Sequence, residues 1–279
     1  MNAPADLKLG LIPHMPAEVY HSIPAMSAGG LKRMQQSPAH FYGLQLDPNR
    51  PASEPTPAMR NGTLVHCALF EPHALGERYA VKPEGHDGRT AAGKAWLAAN
   101  AGRELVSPDA MTAARAQAAA IRELPDVAAL LAEGIPEPSA FWIDDYTSEL
   151  CKCRPDWVSP AGDGVILVDG KTCVEASPEG FSRAIWNFAY HLQAAWYSEG
   201  YEQATGRRVH GFVFAAVESS WPYAAAAYML GDDVLDKARA ECRRLLYLYA
   251  DCKRTGKWPG YAPGINLINL PRWANFAEN

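Results

Sequence analysis

The sequence predicts an α/β fold, a mixed central β-sheet flanked by helices and preceded by an N-terminal helical extension. Three observations predict it. From 138 onward, three short runs of strand character are followed by a long helical stretch and two more strand-like runs, the order βββαββ. Before 135 the apolar residues recur mainly at helical spacing. The chain of 279 residues, 48% hydrophobic, is long enough to bury a sizeable core.

Taken in order, Ser27 begins a helix over 27–43, and the proline-rich stretch 45–60 reads as a loop. Helices follow near 61–71, 90–101 and 108–132, the last containing the alanine-rich stretch Ala113 to Ala120. Arg89 and Thr90, at the end of a turn-rich loop from Pro83, either touch a substrate or cap the helix after them, capping being the favoured role. Strands near 138–146, 149–158 and 164–172, helices over 177–205, and strands near 209–218 and 222–229 complete the pattern. One compact structural domain is expected, divided into a helical part at 1–135, a core at 136–258 and a tail at 259–279. The tail, rich in Pro, Gly and Asn, reads as a tail or a partner-binding arm.

The chemistry concentrates on the strand Gly164 to Thr172, entered from the tight turn Gly162-Asp163-Gly164. Alternation places Asp169 and Lys171 on one face, about 7 Å apart, with Val168 and Thr172 on the other. The run Glu149 to Trp157 reads as the partner strand of a hairpin, with Lys152, Arg154 and Asp156 on one face, so that Asp156 sits across from Asp169. Two converging carboxylates repel each other unless a cation lies between them, and hard oxygen ligands suit Mg²⁺ or Mn²⁺. A lysine beside them could orient a metal-bound water or offset charge building on a phosphate. The competing reading is a surface hairpin with scattered charges, which a lone Asp-x-Lys triplet fits as well.

Arg154-Pro155-Asp156-Trp157 followed by Asp169-Gly170-Lys171-Thr172 resembles the PD-(D/E)xK nuclease signature. Tyr190-His191-Leu192-Gln193-Ala194-Ala195-Trp196-Tyr197 is similar to the Q-x-x-x-Y helix of the RecB-like branch, and Asn61 to His66 resembles its upstream histidine helix. Ser27 to Leu31 and Ser37-Pro38-Ala39-His40-Phe41 resemble the opening of the phage and prophage exonuclease VIII (RecE) nuclease domain; the likeness spans roughly 20–230. It implies a restriction-endonuclease-like core. Carried over, it makes His66, Asp156 and Asp169 metal ligands with the Gly170 carbonyl, Lys171 the catalytic lysine, and Gln193 and Tyr197 supports of the site. From their positions on or beside one N-terminal helix, Ser27, Arg33 and Ser37 are, with Arg154, candidate DNA contacts, Arg33 being preferred over Lys32 for a terminal-phosphate pocket because its donors are forked; the favoured alternative is that Ser27 and Ser37 only cap helices while both cations are solvated.

The resemblance further implies Mg²⁺ or Mn²⁺, two ions per site, and a 5′-to-3′ double-stranded DNA exonuclease that leaves 3′ single strands for recombination. Double-stranded DNA ends, a single-strand annealing protein and a homo-oligomeric ring are the expected partners. The alternatives are a catalytically weak module that holds DNA ends and a structure-specific endonuclease. Gly170 departs from the family, which carries an apolar residue there, and an apolar side chain is expected to be tolerated at that position. Without the resemblance, His66 reads as a satisfied core histidine, and Gln193 and Tyr197 as part of a core-facing helix. Glu149 is either a further acid near the metals or an exposed strand-end charge.

A net charge of −5 argues mildly against a nucleic-acid binder, although metal-holding carboxylates count as acidic. Between Lys237 and Lys257 the basic residues form either a phosphate-tracking helix or a solvated face over a core stripe. The six cysteines are expected to be reduced and mostly buried; Cys151-x-Cys153 lacks the second pair a zinc site would need, and the spacing of an iron–sulfur nuclease is missing. Met1 to Asp6 lack a signal-peptide pattern and no run approaches a membrane span, so a cytoplasmic location is expected.

Overall fold

A computed structural model describes residues 7–52 and 54–269; the Met1 to Asp6 reading and the end of the tail, from 270, lie outside them. Along the chain run β1 (Gly10–Ile12), α1 (Ala17–Ser22), α2 (Ala28–Gln36), α3 (Pro38–Phe41), α4 (Pro57–Phe70), α5 (Leu75–Arg78), β2 (Tyr79–Val81), α6 (Ala91–Ala99), β3 (Glu104–Val106), α7 (Pro108–Arg122) and α8 (Pro125–Leu131). Then come β4 (Ile135–Pro136), β5 (Ser139–Ile143), β6 (Leu150–Cys153), β7 (Trp157–Ala161), β8 (Gly164–Cys173), α9 (Pro178–Asn187), α10 (Tyr190–Thr205), β9 (Val209–Glu218), β10 (Ala225–Met229) and α11 (Asp232–Thr255). The fold is mixed α/β, with central sheets flanked by helices.

The principal sheet has five strands in the order β10-β9-β8-β7-β4. Its one parallel pairing, β8 with β9, is bridged by α9 and α10, as a parallel crossover requires. Both faces of the sheet are covered. Val168, Val213, Ala215 and Val217 pack against α4 and α7, while Leu167, Phe212, Phe214 and Ala216 pack against Phe181 of α9 and Ala194 and Tyr201 of α10. Burial on both faces explains why β8 and β9 read as nearly continuous apolar runs. A second sheet, β1-β5-β6, packs through Trp142, Cys151 and Cys153 on Leu192, Ala195 and Trp196 of α10.

Proline divides several elements that periodicity alone would join. The helix expected over 27–43 breaks at Ser37, whose extended backbone and hydroxyl cap α3 at Pro38. The one expected over 108–132 breaks before Pro125. In the opposite sense, α4 starts at Pro57 inside the expected loop, because Thr56 caps it through the Met59 N–H and proline suits the first turn. The hairpin strand expected from Glu149 to Trp157 is two strands in different sheets: β6 pairs with β5, and β7 pairs with β8.

That division turns Lys152 away from the face where alternation had put it beside Asp156. It is 5% exposed, and its ammonium donates to the carbonyls of Tyr20 (2.8 Å) and Ile23 (2.7 Å) and lies 4.6 Å from the Tyr20 ring centre. Met26 continues this tie, its N–H donating to Leu150 O and its carbonyl accepting from Lys152 N–H, both at 2.8 Å. The N-terminal segment is thereby sewn onto β6, whose edge would otherwise stand open. Lys152→Met should leave two carbonyls without their donor at about 1–3 kcal/mol each, seen as a lower midpoint in urea unfolding. An unchanged midpoint would mean that water replaces the ammonium.

Candidate active site

The site lies where β7 and β8 part. The last rung of that ladder pairs Trp157 with Val168, and Pro155, with no N–H, cannot extend it. Beyond that rung β8 continues to Cys173 against β9 alone. The Gly170 N–H, freed from the ladder, donates to Asp156 Oδ2 at 2.8 Å. Asp169 and Lys171 point toward α10, where Gln193 Nε2 donates to Asp169 Oδ1 at 2.6 Å. The other oxygen, Asp169 Oδ2, is buried, pairs by charge with the Lys171 ammonium, and accepts no well-aligned hydrogen bond.

His66 reaches this point from α4, with Nε2 3.0 Å from Asp156 Oδ2 and Nδ1 3.1 Å from Glu137 Oε1. Burial opposes charge on the ring, yet the two carboxylates outweigh it and raise the imidazole pKa to about 10. Glu137 is driven the other way: despite burial, His66 and Arg154 hold it at about 2. Burial, reinforced by the Asp156 charge, lifts Asp169 to about 6 against the pull of Lys171. Asp156 itself stays below the usual carboxylate range, since His66 and Lys171 overcome its burial. One of two adjacent carboxyls is thus favoured as the anion over the other.

The structure brings His66, Asp156, Asp169, Gly170, Lys171 and Gln193 together, and Tyr197 lines the same cleft, a cavity of about 520 Å³. It does not bring the four candidate DNA contacts there as free groups. Ser27 and Ser37 accept helix-capping bonds from Gly30 and His40 N–H. Arg33 Nη1 donates to Leu44 O, away from the cleft. Arg154 borders the cleft but commits its donors to Glu137, Ser139 Oγ and Met15 O. Instead Lys32 turns inward, its ammonium 3.4 Å from Gln193 Oε1 and 5.0 Å from the Tyr190 ring centre; Lys171 lies 4.9 Å from the same centre. Burial, then Lys171, lowers Lys32 to about 8. Glu149 pairs with Lys253.

Sequence reasoning missed Glu137. It occupies a left-handed turn (φ 46) between two prolines, with its N–H on Asp156 O at 2.9 Å, and only tertiary folding carries it to His66.

An imidazole, two carboxylates and the Gly170 carbonyl are donors that a hard divalent cation accepts, and Asp169 Oδ2 is a buried oxygen lacking a hydrogen bond. By donor chemistry the residues fit such an ion. Among the described residues no three His, Cys, Asp or Glu side chains converge at ligand spacing. His66 is instead paired with Asp156 and Glu137, and Asp169 with Lys171.

Fold and site together define a PD-(D/E)xK-type domain. The chain belongs to the family described as PDDEXK-like domain of unknown function (DUF3799), whose model matches residues 27–271. Among solved structures it is similar to the crystal structure of a "Putative exonuclease" from Eubacterium rectale, with 16% identity over 90% of this chain and 96% of that one and a TM-score of 0.58. At that identity the likeness speaks for the fold. A second structure, SSO0001, is 11% identical over 85% of this chain and 88% of its own; its TM-score of 0.30 carries no argument. No curated protein matches.

The space beside Gly170 overturns the expectation that an apolar side chain would be tolerated there. A Cβ at this position would lie 2.9 Å from Phe70 Cε2 and 3.5 Å from Leu69 Cδ2. The packing atoms that the glycine omits are supplied from α4. Gly170→Val should therefore cost about 1–3 kcal/mol in urea unfolding, and Phe70→Leu should restore part of the loss in the double variant. A wild-type midpoint for the single variant would show that the ring can step aside.

Proposed function

We propose that this chain is a metal-dependent deoxyribonuclease acting on duplex ends, degrading one strand from its 5′ end and leaving a 3′ single strand. The observation that carries the nuclease reading is the meeting of Asp156, Asp169 and Lys171 at the fork of β7 and β8, beside a cleft lined by His66, with Gln193 bonded to Asp169. Family membership and the exonuclease named in the Eubacterium rectale neighbour support it.

In this reading His66, Asp156, Asp169 and the Gly170 carbonyl hold Mg²⁺ or Mn²⁺, as one ion or two. When bound, such an ion supplies Lewis-acid polarisation of the phosphate and lowers the pKa of a bound water. The protein's own groups do the rest. Lys171 balances the negative charge that grows on the phosphate, Gln193 fixes the rotamer of Asp169, and Arg154 holds Glu137 against His66. Lys32 is the cation of the N-terminal helix that reaches the site, and a terminal phosphate is the anion it suits. The same reading extends to a recombination role beside a single-strand annealing protein, with a closed homo-oligomer around DNA to keep digestion processive; light scattering would give the solution mass.

Linear and closed circular duplexes incubated with Mg²⁺ or with chelator test the activity, with degradation expected only for linear DNA with metal. Cleavage of the circle would make the enzyme an endonuclease. Asp156→Ala or Asp169→Ala should abolish cleavage and weaken Mn²⁺ binding. Lys171→Ala should keep metal binding while turnover falls by about 10²-fold or more, the behaviour of a lost transition-state contact; near wild-type turnover would sink the mechanism. On 5′-phosphorylated against 5′-hydroxyl ends, Lys32→Ala should lose the preference for phosphate and Arg33→Ala should keep it. The reverse pattern would remove Lys32 from the pocket.

A further inference from the structure

The corner between α9 and α10 places Trp186, Phe188, Tyr190 and His191 within one turn of chain, and the reaction as described uses none of them except Tyr190 as a wall of the cleft. Ala189, in the left-handed region at φ 50, makes the corner tight. Trp186 stacks on His191 with planes 10° apart and centres at 5.6 Å, and Phe188 stacks on Tyr190 at 28° and 5.5 Å. In each pair one ring is anchored and the other faces outward: Trp186 is 75% exposed and Phe188 60%. Single exposed apolar residues are ordinary, but two large rings braced from behind and presented together are not.

Their setting points to an occupant. Tyr190, the ring under Phe188, is the one over which the Lys32 and Lys171 ammoniums both lie, so this stack continues into the catalytic cleft. Beside Trp186 opens a groove of about 580 Å³, lined by Ile185, Val234, Gln35 and Lys237. The Lys237 side chain is 83% exposed and only loosely paired, 3.8 Å from Asp233. Flat π faces, a nearby exposed cation and an amide suit a nucleotide whose base is unpaired. Stacking of that kind tolerates any sequence, because every base has a π face, and indifference to sequence is what degradation along a strand demands.

We infer that the α9–α10 corner is a stacking platform for unpaired bases of the strand passing through the catalytic cleft, on Phe188 beside the site and on Trp186 farther out. This rests on the nuclease reading for the identity of the strand. The platform explains how a frayed end is gripped without reading its sequence, and why two aromatic side chains are left exposed at a rigid helix corner.

The test is anisotropy titration of the full chain, in chelator so that nothing is cut, with fluorescent (dT)12 and with a 12-mer of abasic sites bearing the same phosphates. Wild type should favour the base-bearing strand by about 5-fold or more per stacked base. The double variant Trp186→Leu/Phe188→Leu keeps apolar bulk without π faces and should bind both strands alike, while Phe188→Tyr keeps the preference. Both side chains being largely exposed, the thermal midpoint should hold. Equal binding of the two strands by wild type, a preference that survives in the leucine double variant, or no binding of either strand overturns the platform, the last leaving the corner to a protein partner. The outcomes separate from those for catalysis: cleavage without base preference removes the platform alone, and base preference in a protein that cuts nothing removes the nuclease reading alone.

Discussion

Two carboxyl groups, Asp156 and Asp169, are held side by side at a fork in the sheet, and the polar structure around them answers their repulsion. Bringing like charges together out of water is costly, and it persists only where hydrogen bonds and cations offset it. The fork supplies a backbone N–H to one of them, Gln193 supplies an amide to the other, and His66 and Lys171 supply positive charge. A surrounding layer steadies these groups in turn. Glu137 holds the far nitrogen of His66, Arg154 holds Glu137, and Met15 O and Ser139 Oγ take the remaining arm of Arg154. This is why α1, α4, α10 and the turn before β5, distant in sequence, all border one small cleft.

Much of the fold was legible. The bounds of β9 and of the β8 run emerged from β-branched and aromatic content because both strands are buried on two faces, which leaves little room for ambiguity. The divided elements were less legible, although the responsible residues stood in plain view at Pro38, Pro125 and Pro155: proline announces a break without saying whether the chain resumes in the same element or another sheet. Strands such as β1 and the β2–β3 pair are too short to show a period, and their existence depends on partners that only folding supplies.

In the site, the two carboxylates and the lysine were readable because one strand and the residue that enters its neighbour carry them. Glu137 was not readable, since a carboxylate flanked by prolines carries no local mark of its partner. That Lys32 rather than Arg33 turns toward the site has a geometric reason. Adjacent residues on a helix point about 100° apart, and which one faces the core depends on how α2 lies on α10. Leu31 and Met34, both buried, set that rotation and leave Lys32 beside Gln193.

Charge shows why whole-chain sums mislead. The helix α11 carries most of the basic residues that suggested a phosphate track, yet all but the loosely paired Lys237 are closely matched: Arg243 with Asp144 and Glu199, Lys253 with Glu149, and Arg239, Arg244 and Arg254 with carboxylates one turn away. The Arg243 and Lys253 pairs tie α11 to α10 and to the loop before β6, which is a structural task, and the others lie within the helix. The positive charge at the fork comes from Lys32 and Lys171, drawn in beside Asp169 and over one tyrosine ring. Under the proposed reading an acidic protein faces an acidic polymer because attraction over the last few ångströms depends on where the cations stand, and Lys32 and Lys171 stand together at the fork over the Tyr190 ring.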